Sequence, residues 1–223
     1  MNNIPNGSPH DPISKTRKIA EIVAVFITGA GKFVFMDWLG WKLPFILTAM
    51  VGWIGYVVLR ARRKKGLLQH WGFRKDNFWR VLQLILPFAL TAIISFFAIG
   101  FYQNTIQLTW HIIPVLVLYP LWGTIQQFLV IGLVAGNLQD LQGEKKNTFI
   151  IIFITALLFG ALHYPNHWLI IATFLLALFY GYIYLKARNV YVLGLLHGWL
   201  GALFFYTVVG RDPFAEVFAR FIN

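Results

Sequence analysis

The residues able to do chemistry gather in the second half of the chain. Gln126 and Gln127 stand side by side within the strongly apolar stretch Ile106 to Gly136. Lipid offers such amides no hydrogen-bond partner, so they must face other helices or a wet cavity, either as packing glue or as part of a site. In LLFGALHYPNHW, His163 ends an apolar helix four residues after Phe159, and Pro165 and Asn166 mark the break. His163 and His167 have the i, i+4 spacing of a helical metal pair. The residue before a proline is pushed out of the helical region, so Pro165 keeps the two imidazoles off a common face. That leaves His167 at the interface and His163 as the functional candidate. In VLGLLHGWLGALFF, Gly194, His197 and Gly201 share one side of a helix, where small residues let a neighbouring helix approach the imidazole. Alone, each feature has a plainer reading, such as a packing seam with one histidine bonded to a carbonyl. Together, two intramembrane histidines, an amide pair and a broken helix point to a site.

Positioning these groups falls to a set of apolar segments. Seven spans fit the length of a hydrocarbon core: 19–39, 44–59, 79–101, 111–136, 147–163, 168–186 and 190–209. The expected fold is therefore all-α, a polytopic integral membrane bundle. Residues 1–18, rich in Pro, Asn, Gly and Ser, read as a disordered cytoplasmic arm lacking the apolar core of a signal peptide. Residues 19–210 form the transmembrane domain, and 211–223 a short amphipathic tail, helical over Pro213 to Ile222. Glu21 and Lys32, inside the first span, must lie toward its ends or face the bundle.

Composition supports the membrane reading, with 58% hydrophobic and only 12% charged residues, against about 25% charged in soluble domains. The chain has no cysteine, which excludes disulfides, thiolate chemistry and cysteine-held zinc. Its net charge of +11 sits in short loops beside the spans. The run Arg60 to Lys65 reads as a topology signal and a contact for anionic membrane lipids, and no nucleic-acid-reading module accompanies it. Of the 19 Lys and Arg, 15 fall on the side that holds the amino terminus, including Lys145 and Lys146, which makes that side cytoplasmic. Trp38, Trp41, Trp71, Trp79, Trp110 and Trp168 lie near span ends and read as interfacial anchors, and Gly29, Gly31, Gly52 and Gly55 as helix contacts.

From about Pro114 to Tyr206 the chain resembles the CPBP (Abi) family of CAAX prenyl endopeptidases and bacteriocin-processing intramembrane proteases. The family's Glu-Glu-x-x-x-Arg, Phe-x-x-x-His and His-x-x-x-Asn motifs align with Gln126 to Ile131, Phe159 to His163 and His197 to Gly201. The resemblance implies catalytic roles for Gln126, Gln127, His163 and His197 and binding roles for Phe159, Asn166 and Gly201. Any divalent metal would fall to His163 and His197, and the implied partner is a membrane-embedded or lipid-modified peptide or protein. The expected location is a bacterial plasma membrane.

The departures fall on the reacting atoms. Neutral amides stand where the family has glutamates, and an amide cannot take a proton from water. Loss of a positioned base typically lowers rates about 10²–10⁴-fold. The arginine position is Ile131 and the asparagine position Gly201. Removing charge and counter-charge together is coherent, because stranding one buried charge costs about 3–5 kcal/mol. Three functions follow as expectations: an endopeptidase with a histidine base and an amide donating to the oxyanion; a silent relative binding hydrophobic peptides or proteins in an immunity, chaperone or regulatory role; or a small transporter or channel.

Overall fold

Long apolar runs fold as helices in which every backbone group is satisfied internally, and the computed structural model, which describes residues 13–143 and 147–222, is all-helical among those residues. Among the described residues, six helices are long and apolar enough to cross a membrane: α1 (Lys15–Trp38), α2 (Lys42–Arg63), α4 (Phe78–Gln103), α5 (Ile112–Leu141), α7 (His167–Ala187) and α8 (Val190–Val209). The short α3 (Leu67–His70) lies in the basic loop, the apolar α6 (Thr148–Ala161) is a shorter seventh segment, and α9 (Pro213–Ile222) closes the chain. The architecture is thus an all-α polytopic membrane bundle.

Of the amino-terminal arm, residues 1–12 lie outside the described residues, as do Lys145 and Lys146. Residues 15–18 of that arm are already helical, because the Ser14 hydroxyl accepts from the Arg17 N–H and caps α1.

Two polar layers define the ends of the bundle. At the end carrying the basic loop, the Glu21 carboxylate accepts from Tyr56 Oη at 2.5 Å and Asn137 Nδ2 at 2.7 Å. Beside it, Asp140 accepts from Arg188 at 2.6 Å and faces His70 at 3.2 Å and Lys18 at 3.8 Å. Glu21 therefore faces the bundle, and this buried cluster ties α1, α2, α3 and α5 to the turn after α7. At the opposite end, Lys32 bonds Asp37 at 2.6 Å and the Tyr164 carbonyl at 3.0 Å, while Lys42 pairs with Glu216 at 3.1 Å.

Two expectations are corrected. Trp71 is 1% exposed, packed against Tyr56 and Phe128 in an aromatic cluster, because α3 folds the basic loop back under the bundle; the other five expected anchors, Trp38, Trp41, Trp79, Trp110 and Trp168, are exposed. Gly52 and Gly55 make no helix contact, since a Cβ added at either meets nothing within 4 Å, whereas one at Gly29 would meet Leu162 at 2.7 Å.

Candidate functional site

The site is built where α5 crosses α8, and glycine makes the crossing possible. A Cβ at Gly194 would lie 2.3 Å from Thr124 Cα, one at Gly198 2.4 Å from the Pro120 nitrogen, and one at Gly123 2.8 Å from the Gly194 carbonyl. Backbone thus rests on backbone, as small-residue seams allow. Pro120 contributes by lacking an N–H at the point of closest approach. Gly201, expected on the same seam, lies elsewhere: a Cβ there meets nothing within 4 Å, and the residue lines a cavity. The seam is made by Gly194 and Gly198.

This approach brings together side chains 71 positions apart. His197 Nε2 lies 3.2 Å from Gln126 Oε1; an amide oxygen can only accept, so Nε2 carries the proton and donates. His197 is 7% exposed, and its Nδ1 has no partner among the described residues. His163, in the turn after α6, places Nδ1 2.8 Å from the Phe159 carbonyl. By the same reasoning Nδ1–H donates there, and the lone pair resides on Nε2. The Phe159 ring sits between the two imidazoles, with centroids 5.0 Å from His163 and 5.3 Å from His197.

Gln126, Phe159, His163, Asn166, His197 and Gly201 all line one cavity of about 650 Å³, within the roughly 300–1,000 Å³ usual for ligand sites. Gln127 does not line it. It is fully buried one residue on, its amide finding no partner among the described residues, at the point where α5 passes into π-helical turns over Phe128–Ala135. Such turns often accompany functional positions. Asn166 also caps α7, its Oδ1 accepting the Leu169 N–H at 3.0 Å. His167 begins α7, exposed, and does not line the cavity, although Asn166 and Trp168 on either side of it do.

The donor set does not suit a divalent cation. Among the described residues no group of three or more His, Asp or Glu is arranged to hold one. With Phe159 and Gln126 each holding one ring nitrogen, the two histidines offer two imidazole lone pairs, on His163 Nε2 and His197 Nδ1, whereas a held zinc ordinarily takes at least three protein ligands.

Sequence reasoning missed the cavity's mouth, where Lys32, Asp37, Lys42, Arg211 and Glu216 line the opening. Charged residues at helix ends read individually as anchors; pairing between the start of α2 and α9, such as Lys42 with Glu216, carries no local signal.

Residues 105–203 match the family model described as type II CAAX prenyl endopeptidase Rce1-like, overlapping the resemblance expected from 114 to 206. The match supports CPBP family membership. No curated protein and no solved structure matches the chain significantly.

Proposed function

On the premise that residues 105–203 are a CPBP-type core, we propose that the cavity receives a hydrophobic peptide segment and hydrolyses it, as an intramembrane endopeptidase of the plasma membrane. The observation that carries this reading is the convergence of His163, Gln126 and His197 on one cavity with their hydrogen-bonding roles set. His163 Nε2, with its lone pair free, takes a proton from water as the oxygen attacks the peptide carbonyl. Gln126, held through its oxygen by His197, keeps its N–H₂ for the developing oxyanion. The proton on His163 then passes to the departing amine, leaving a new carboxyl and a new amine. Phe159 limits water around both imidazoles. A metal takes no part in these steps, in keeping with the donor set.

The test compares newly generated peptide ends in host membranes containing wild type, His163→Ala or neither. New ends with wild type alone are expected. Matching profiles from folded, abundant proteins would remove His163 from any proteolytic role. The second reading, a silent peptide binder, is favoured by one observation: the partner of the Gln126 amide oxygen is the His197 imidazole, a neutral pairing with no carboxylate in it. It predicts that His163→Ala retains a co-purifying hydrophobic peptide.

A further inference from the structure

The hydrogen-bonded layers at the two ends of the bundle settle which groups share a membrane face. At one end Asn189 Nδ2 donates to Asn77 Oδ1 at 2.6 Å, and Asn77 Nδ2 to the Ala187 carbonyl at 3.0 Å. The turn after α7, the start of α4 and the basic loop therefore lie together. That end holds Lys15, Arg17, Lys18, the eight cations from Arg60 to Arg80, Lys186 and Arg188. At the other end, Lys32 reaches the Tyr164 carbonyl, Lys42 reaches Glu216, and Thr109 reaches Asp212 at 3.0 Å. There four cations, Lys32, Lys42, Arg211 and Arg220, stand nearly balanced by three acids, Asp37, Asp212 and Glu216. By the bias of Lys and Arg toward the cytoplasm, the second end faces away from it.

The cavity is one-sided with respect to this axis. Its charged lining is Lys32, Asp37, Lys42, Arg211 and Glu216, all from the balanced end. None of the cations of the basic end lines it, and along α5 its wall stops at Val130, short of Asn137 and Asp140, whose polar cluster closes the floor.

We propose that the cavity opens to the non-cytoplasmic face, so that its occupant is a polypeptide segment presented from outside: a secreted chain or the outer end of a membrane segment, not a cytosolic tail. The proposal rests on reading the cavity as a peptide site. The two ion-pair clasps, Lys32 with Asp37 and both Lys42 and Arg211 with Glu216, border the entry. They suit a segment whose apolar part enters the cavity while its polar backbone stays between the clasps.

The chain has no cysteine, so single cysteines report position without background. Tyr164→Cys, at an exposed mouth position, Gly201→Cys, in the open space of the cavity wall, and Lys64→Cys, in the basic loop, are treated with a membrane-impermeant thiol reagent in intact cells and again after permeabilisation. Labelling of Tyr164→Cys and Gly201→Cys in intact cells, with Lys64→Cys labelled at least tenfold more after permeabilisation, is the expected result. The reverse pattern overturns the proposal, and so does labelling of Tyr164→Cys from outside while Gly201→Cys reacts only after permeabilisation. An impermeant synthetic hydrophobic peptide added outside separates the two readings. Protection of Gly201→Cys supports both, whereas outside labelling without protection upholds the cavity's orientation and overturns the peptide reading.

Discussion

Gly194→Ala should dismantle the site without touching any group that does chemistry. The added Cβ would start 2.3 Å from both Thr124 Cα and Thr124 Oγ1. Non-bonded carbons settle at about 3.5–4.0 Å, so α5 and α8 must part by roughly 1.2–1.7 Å at this level. The bond from His197 to Gln126 is already 3.2 Å long, and the same movement takes it past the ~3.5 Å at which such a contact ceases to be a hydrogen bond. Overpacking of this kind costs about 1–3 kcal/mol, and an unpaired buried imidazole adds about 1–3 kcal/mol. Better helix propensity returns about 1 kcal/mol. The net expectation is a loss of roughly 1–5 kcal/mol with cleavage abolished, measured by equilibrium unfolding in mixed micelles and by peptide-end formation. Gly55→Ala is the control. Its Cβ meets nothing within 4 Å, so only the propensity gain of about 0.5–1 kcal/mol should appear. If Gly194→Ala were as stable and active as wild type, glycine contact would not be what sets the distance between the amide and the imidazole.

Two further outcomes follow from the geometry. Gly201→Asn restores the family's asparagine in open space; it should fold with stability within about 1 kcal/mol of wild type, and a larger loss would show that the wall is not free there. Asp212, beyond the last span, caps α9 and joins it to α5 and α8. Burial pushes its carboxyl up, but hydrogen bonds from His111, the Ala215 N–H, Tyr206 and Thr109 outweigh this and hold it below the ordinary carboxylate range. A carboxyl depressed in the folded state stabilises fully above its unfolded value of about 3.9 and loses that contribution as pH falls through the folded value. Asp212→Asn should therefore flatten the stability profile below about pH 4. An acid limb identical to wild type would remove Asp212 from this role.

Much of the architecture was legible before any coordinates. Span length and hydropathy are local properties, so the long helices, the break at Pro165 and the tail from Pro213 to Ile222 could be placed residue by residue. The bias of Lys and Arg between loops is equally local once the spans are counted. Residue types and spacing singled out Gln126, His163 and His197, the resemblance to the family's motifs added Phe159, and the structure gathers the four around one cavity.

What no local pattern contained was depth and convergence. Counted along separate helices, Gln126, His163 and His197 fall at three different levels of the membrane. Gln126 and His197 meet because α5 and α8 cross where Gly123, Gly194 and Gly198 leave room for backbone, and the Phe159 ring against both imidazoles joins His163 to them. The adjacent amides looked equivalent in sequence, yet one residue of helical rotation places Gln126 on the cavity and Gln127 in the packed interior. Burial of Trp71, the pairing of Lys42 with Glu216 and the one-sided opening share a cause. Each joins residues far apart in the chain through helix crossings, and crossings are set by how whole faces pack.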